Sequence, residues 1–493
     1  MRKQPNILLI ITDHQAWYGH YFRGLYTYHL PVFERFISEG VFFSRAYSVC
    51  PICTATRASI MTGMYPSTHG LRWNTENKFL ENRQEFKKNQ KIYSHYLEEA
   101  GYANAYIGKW HCGENLLPED YRIPGWSLPG YGNVYDSAKY NDYCAENRYP
   151  EAKAYIEHDH HHPELEGTTI SLRDPSTFKY SGCSGILEGP PEVHEENFVA
   201  NLAVNKLQEL AKDDKPFCLT ASFWGPHQPY LPSKAFCGQI NPNDIPQYPS
   251  FQDDLEGKPL KHFIHRDLIH RSAHKWKDWS IWQQILARCY EQSIQLDAAI
   301  GTVLDAVENL GLSNNTLIIW CADHGDAVAS HGGVWDKDCT YTEEVARIPF
   351  AVKWPGKIPA GINIDQLVSN LDVTATMLDA VGVTDIDHLH SRSLLPLCVN
   401  NQQNTWPDRL VCEHNGHAYN NLQRVILHDK YKYVLSLYEQ DELYDLEEDP
   451  WEMHNIAQEK SSQSVITMLI KKLTQHIKET DDHLGLELLQ SLS

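Results

Sequence analysis

Across 493 residues the chain is 42% apolar and 22% charged, the balance of a globular protein with an ample core. Its formal net charge of -21 argues against nucleic acid as a partner; an anionic substrate would need a local cationic cluster, since screening confines such fields to about 8 to 10 Å. Twelve irregularly spaced cysteines are not a disulfide framework, and neither a bilayer-length apolar run nor a signal-peptide core is present. The expectation is a soluble cytoplasmic protein with no membrane partner, or a periplasmic or secreted one had a leader been removed.

Asn6 to Thr12 is a continuous apolar run, as in a strand buried on both faces, and it ends in Asp13-His14-Gln15. Binding residues of open α/β sheets gather beyond the carboxyl ends of strands, so Asp13 is a candidate metal ligand; a helix N-cap is the alternative. Ser48 to Gly70 holds Cys53, Arg57 and Thr62-Gly63. A helix opening at Cys53 would surround that side chain with unpaired N–H groups and bring Arg57, one turn on, to the same side, which suits an anion-handling nucleophile. The alternative is a buried cysteine opening an ordinary helix. Cys50 lacks an arginine at the matching distance.

Ile92 to Ala100 has helical periodicity closed by Gly101, and a short strand from Ala103 to Ile107 leads into Gly108-Lys109-Trp110-His111. Residues 113–195 are rich in Pro, Gly, Tyr and Asn and read as an irregular insertion over the mouth of a site. Within them, the His-rich run from Glu157 to His162 reads as a solvated loop rather than a metal site. Trp126, Tyr131 and Tyr135 are candidates to stack on a sugar or aryl group, or simply to pack the insertion.

A helix from Glu195 to Leu210 and a strand from Phe217 to Phe223 precede Trp224-Gly225-Pro226-His227-Gln228-Pro229-Tyr230. Prolines on both sides of His227 fix its backbone, which suits a positioned acid. Residues 238–280 show no pattern. A long helix from about Ile285 to Leu310 closes at Gly311, and a second buried strand, Thr316 to Ala322, ends in Asp323-His324-Gly325-Asp326. Two strands ending in Asp-His could gather ligands around one cation. Carboxylates suit calcium or magnesium, and added imidazoles favour manganese or zinc. An amphipathic helix from Leu371 to Gly382 closes a main domain of residues 1–385. Alternating strands and a helix from about Ser464 make residues 386–493 a small antiparallel appendage.

Together these segments resemble the type I sulfatases, whose signature Cys-x-Pro-x-Arg followed by Thr-Gly is met by Cys53, Arg57 and Thr62-Gly63, with Ala55 in the usual place of proline. His14 stands where the family usually has a second aspartate. Gly108-Lys109-Trp110-His111, His227 with Tyr230, Asp323-His324, His331-Gly332 and Trp335-Asp336-Lys337 follow in the family's order, and the match runs to about Ile456. The resemblance implies the alkaline phosphatase superfamily fold, a large mixed sheet sandwiched by helices with a small C-terminal antiparallel-sheet subdomain. It implies that a maturation enzyme oxidises Cys53 to formylglycine. One divalent ion, calcium before manganese, magnesium or zinc, would be held by Asp13, His14, Asp323, His324 and residue 53. Lys109, Lys337 and Arg57 would offset sulfate charge, His227 would protonate the leaving alcohol, and His111 would take a proton from the hydrated aldehyde. The activity implied is hydrolysis of sulfate monoesters, of a sulfated carbohydrate or small organic sulfate. The alternatives are a phosphonate monoester or phosphodiester hydrolase with the same site, and a non-catalytic module binding anionic glycans.

Overall fold

Eight strands form the central sheet of the computed structural model, which describes residues 4–16, 28–75, 85–174, 182–384, 386, 389–400, 405–417 and 420–491. From edge to edge they are Ile362–Ile364, Val41–Phe43, Phe350–Lys353, Thr316–Ala322, Asn6–Thr12, Phe217–Ser222, Ala103–Gly108 and Gly125–Trp126. Phe350–Lys353 pairs antiparallel with both of its neighbours, and the other pairings are parallel. The apolar run at the start of the chain is the middle of this sheet, with Ile10 opposite Trp320 on one side and Ala221 on the other. Its side chains alternate: Leu8 and Ile10 enter one core layer, and Ile7, Leu9 and Ile11 the other.

Helices cover both faces. Pro31–Ser38, Glu195–Leu210 and Trp279–Asn309 bring Phe33, Phe198 and Leu286 to the first layer. Cys53–Thr62, Tyr93–Glu99 and Val373–Ala380 bring Ile60, Leu97 and Met377 to the second. The neighbouring parallel strands Ala103–Gly108, Phe217–Ser222, Asn6–Thr12 and Thr316–Ala322 all end at one edge of the sandwich, and each runs directly into a segment singled out in the sequence.

The C-terminal sheet has the order Arg409–Gly416, Asn420–His428, Tyr431–Ser436, Glu442–Asp445 and is antiparallel throughout. Strand periodicity divides its faces. Val411, Ile426 and Tyr433 pack on Leu469, Leu473 and Ile477 of the Gln463–Glu479 helix. Leu410, Val425 and Val434 pack on Tyr47, Tyr341 and Leu367 of the main unit. The division expected at residue 385 falls on a position outside the described residues.

Four readings need correction. The stretch 113–195 is not irregular: it contains the Ala138–Asn147 helix and a three-stranded antiparallel sheet of order Thr169–Ser171, Lys153–Asp159, Cys183–Glu188. Lys153 to Ile156 alternates exposed and buried, a period-two signal too short to stand out among prolines and glycines. The His run is not a solvated loop, because Glu157 to Asp159 continue a strand and His158 and His160 are buried. Residues 238–280 include a helix, Leu260–His270, and the long helix begins at Trp279, capped by the Asp278 side chain on the Ser280 N–H.

None of the twelve cysteines is paired in a disulfide. Among the described residues, no helix is long and apolar enough to cross a membrane.

Candidate active site

The Cys53–Thr62 helix is buried along its whole length and stops at Gly63, whose φ of 69° is the left-handed conformation that glycine adopts freely. It opens without a side-chain cap from Ile52; instead Asn74 Oδ1 accepts from the Thr54 N–H at 3.2 Å. Cys53 therefore stands at the first turn, and its Sγ lies 3.1 Å from His324 Nε2 and 3.9 Å from His14 Nε2. His324 Nδ1 donates to the Gly325 carbonyl at 2.8 Å, which fixes the tautomer and leaves Nε2 as the lone-pair side facing Cys53.

Asp13, His14, Cys53 and His324 each offer one ligand atom, and these atoms all lie within 4.8 Å of one another. The four are buried. Asp13 Oδ1 is fully buried, accepts no hydrogen bond and lies 3.8 Å from Arg57 Nη2, so the cluster places a carboxylate oxygen beside two imidazoles and a sulfur. That donor set fits a divalent cation. Asp323 stands slightly apart. Its Oδ1 accepts from the backbone N–H groups of His14 and His324 at 3.2 and 2.7 Å, and its Oδ2 accepts from Arg57 Nε at 2.9 Å.

Cationic side chains ring the cluster. Lys109 Nζ pairs with Asp13 Oδ2 and sits 4.0 Å above the Tyr131 ring. Lys337 Nζ donates to His14 Nε2 and to Asp336 Oδ1, each at 2.8 Å. Arg57 is already committed to Asp323, to the Lys109 carbonyl and to Ser222 Oγ. It holds the floor of the site. The close approach that delivers Lys109 depends on Gly108, where a Cβ would lie 1.8 Å from the Ser222 carbonyl oxygen.

His227 follows a cis Gly225–Pro226 bond, precedes a cis Gln228–Pro229 bond, and lies with its ring centroid 3.8 Å from that of His14. Burial pushes its pKa down to about 3, with Lys109 and Lys337 adding to the effect against Asp13. His111 has a left-handed backbone, its carbonyl accepts from Thr54 Oγ1 at 2.8 Å, and its ring meets Tyr131 edge-on at 5.6 Å.

Asp13, His14, Cys53, Arg57, Lys109, His111, His227, Asp323, His324 and Lys337 thus lie at the one strand-end edge. Of the three aromatics, only Tyr131 reaches the cluster, through Lys109, His111 and His227. Tyr135 is buried, and Trp126 packs on Phe198 and Trp224. Sequence reasoning missed Asp326 and Tyr230. His14 Nδ1 donates to Asp326 Oδ2 at 3.3 Å, and the same oxygen accepts from the Tyr230 hydroxyl at 2.6 Å. Asp326 stands three positions after Asp323 and Tyr230 three after His227, a proximity that was the available signal.

With this geometry established, comparison with known proteins is decisive. A family model described as Sulfatase matches residues 5–383. The chain belongs to the sulfatase family. As a sulfatase it is a sulfuric ester hydrolase of the alkaline phosphatase superfamily. A second model, for the C-terminal part of N-sulphoglucosamine sulphohydrolase, matches residues 330–479. An arylsulfatase of Clostridium perfringens is 27% identical over 97% of this chain and 95% of its own length. A choline-sulfatase of Rhizobium meliloti is also 27% identical, over 92% of this chain and 83% of its own. Among solved structures, a phosphonate monoester hydrolase of Agrobacterium radiobacter shares the fold with a TM-score of 0.74 at 19% identity, covering 97% of this chain and 96% of that one.

Proposed function

We propose that this sulfatase hydrolyses sulfate monoesters of carbohydrates or small organic alcohols at Cys53, with residue 53 as formylglycine and one divalent ion, calcium by family resemblance, beside it. One observation carries the reading: the ligand atoms of Asp13, His14, Cys53 and His324 converge within 4.8 Å inside a ring of lysines. Asp323 completes the metal's surroundings in this assignment. When present, the two groups supply a nucleophilic hydroxyl at residue 53 and a Lewis acid that polarises the ester.

The chain's own side chains supply the rest. Lys109 and Lys337 offset the charge on the non-bridging sulfate oxygens in a dry site, where fixed cations act most strongly. Arg57 keeps Asp323 ionised and in place. His227 is held neutral by burial and the lysines, and an arriving sulfate anion opposes both lysines, raising its basicity so that it can carry the proton required by the leaving alcohol. His111, on the Tyr131 side, is assigned the complementary proton-accepting role. The same reading divides the chain at about residue 385, supported by the separate apolar core beneath the C-terminal sheet.

The carbohydrate assignment draws on the N-acetylglucosamine-6-O-sulfatase of Bacteroides thetaiotaomicron, 23% identical over 97% of this chain, and on a fold neighbour solved with its substrate D-glucosamine-2-N,6-O-disulfate. The phosphonate monoester hydrolase neighbour favours a second reading in which the same centre cleaves phosphonate monoesters. Side-by-side turnover of 4-nitrophenyl sulfate and 4-nitrophenyl phenylphosphonate, with hydrazide trapping of an aldehyde in the Cys53 peptide, tests both. Preferred sulfate turnover together with a trapped aldehyde is expected. Faster phosphonate cleavage, or a free thiol in fully active enzyme, overturns the assignment.

A further inference from the structure

Beside the Cys53 centre, on the side of His227 and Asp336, lies a chamber of about 500 Å³, within the size range of small-molecule sites. The two residues shared with the centre tie the chamber to the chemistry. The His227 ring lies 3.8 Å from that of His14, tilted by 45°, and Asp336 binds Lys337, which in turn reaches His14. An ester with its sulfur at residue 53 and its leaving oxygen near His227 would extend its alcohol part into this space.

Asp338 lines the chamber. It is 5% exposed, its backbone is left-handed with φ 39°, and neither carboxylate oxygen accepts a hydrogen bond. Asp336 is neutralised by Lys337 at 2.8 Å, whereas Asp338 has no ion pair among the described residues. Buried polar groups are almost always partnered, and an ionised carboxylate is the costliest exception. The Gln228 Oε1, 7% exposed on the same lining, is also without a partner.

The lining histidines add acceptors. His160 Nδ1 faces the Gly182 carbonyl at 2.9 Å and His265 Nε2 the Trp335 carbonyl at 2.6 Å. A carbonyl only accepts, so these nitrogens carry the hydrogens, and in a neutral ring the second nitrogen is an acceptor. Trp335 Nε1–H, buried without a partner, adds a donor to the same wall. A hydroxyl group both donates and accepts and so matches this set. An ammonium would meet the carboxylate but clash with the indole N–H, and a quaternary ammonium has no donor. A second anion on the ring would face Asp338 on this buried wall, whereas Arg271, the one guanidinium of the lining, is exposed to solvent, where its field is screened.

We propose that Asp338 is the specificity-determining residue of this chamber and takes the hydroxyls of a neutral sugar ring whose sulfate lies at Cys53. This rests on the sulfate ester reading above. The test compares the matured parent, D338N and D338A on 4-nitrophenyl sulfate, a set of glucose monosulfates and glucosamine 6-sulfate. In D338A the ratio of kcat/KM for the preferred glucose monosulfate to that for 4-nitrophenyl sulfate falls by at least about 30-fold, mostly through KM. In the isosteric D338N it falls by about 5-fold, because the amide oxygen still accepts. A ratio that moves less than about 3-fold in D338A overturns the proposal. So does a loss confined to glucosamine 6-sulfate and equal in D338N and D338A, which would mark an ammonium site. Should the parent turn over no sulfate ester, the reading of the active site falls by itself. Calorimetric binding of glucose monosulfate then decides the chamber: binding weakened in D338A supports it, and binding absent from the parent or equal in D338A sinks it.

Discussion

Arg57 donates from Nε to Asp323 Oδ2 at 2.9 Å, and both side chains are completely buried beneath the nucleophile position. Burial opposes charge on each. Asp323 and Asp13 nevertheless hold the guanidinium above its usual range, and His324 and Arg57 hold the Asp323 carboxyl below the usual carboxylate range. The pair is therefore a foundation for the strand end that carries His324, not a surface ornament.

Removing one partner strands the other. R57A should lose about 3–5 kcal/mol of stability in urea unfolding, the usual cost of an uncompensated buried charge. R57K keeps the charge but loses the fork that also reaches Ser222 and the Lys109 carbonyl, so it should fold yet lose turnover. A double variant, R57M with D323L, should unfold at higher urea than R57A although it is equally inactive. If R57A proves the more stable of the two, the pair is not coupled as the geometry states.

His14 is oriented by a second relationship, from Tyr230 through Asp326. Asp326 accepts from His14 Nδ1, which turns Nε2 toward Cys53 and Lys337. Burial first, and Asp336 next, push the Asp326 pKa up to about 6. D326A should weaken divalent-ion affinity or activity by about 10- to 100-fold, as loss of a ligand's hydrogen-bond partner typically does, and Y230F should cost less. Chelator treatment of the parent should abolish turnover, with calcium restoring it at lower concentration than magnesium. Calorimetric calcium affinity unchanged in D326A would remove this role.

Much of this was legible before any coordinates. The Asn6–Thr12 and Thr316–Ala322 strands are apolar from Ile7 to Ile11 and from Leu317 to Ala322 because both faces of the sheet are covered, and the residues just after them line the candidate site. Cys53 and Arg57 were tied by helical spacing, and Lys109 and His111 by resemblance to the family's Gly-Lys-Trp-His segment. What escaped notice depends on partners distant in sequence. Asp326 has meaning only beside His14, 312 positions away, and the three-stranded sheet around Lys153–Asp159 pairs across intervals of irregular composition that hide its alternation. His160 looked like surface because histidine runs usually are; Trp335, 175 positions later, covers it with ring centroids 5.1 Å apart.

A buried network around His331 sets a pH window for stability. His331 Nδ1 faces Asp253 at 3.1 Å, its Nε2 faces Glu344 at 3.2 Å, and Lys258 also pairs with Asp253. Burial and Lys258 oppose the imidazolium, but Glu344 and Asp253 prevail and raise the His331 pKa. Burial likewise opposes the Asp253 carboxylate, and His331 and Lys258 hold its pKa well below the usual range. A raised histidine contributes stability fully present below its unfolded pKa of about 6.5 and lost as pH climbs through the folded value. A depressed aspartate contributes stability present above about 3.9 and lost as pH falls through its folded value. The network should therefore stabilise most between about pH 4 and 6.5. Thermal melts at fixed ionic strength should show Tm declining as pH rises above about 6.5, with the decline flattened in H331Q. Parallel profiles for parent and H331Q would rule this out.

His227 offers the sharpest test of the proton assignment. Its ring packs against that of His14 with centroids 3.8 Å apart and is held among neighbours that stay in place, so removal should alter chemistry more than shape. A proton donor matters in proportion to the basicity of the oxygen that leaves. With 4-nitrophenyl sulfate, whose phenolate departs without help, H227A should lose less than about 10-fold in kcat/KM. With an alkyl or sugar sulfate, whose alkoxide cannot depart unprotonated, the loss should reach about 100- to 10,000-fold, the usual range for general acid catalysis. The pH profile adds an independent readout. In free enzyme burial keeps His227 neutral down to about pH 3. The proton must therefore be taken up as the anion binds, and kcat for the alkyl ester should show an acidic requirement at higher pH than kcat/KM does. Equal losses on both esters would make His227 a binding residue and return the search for the acid to His111.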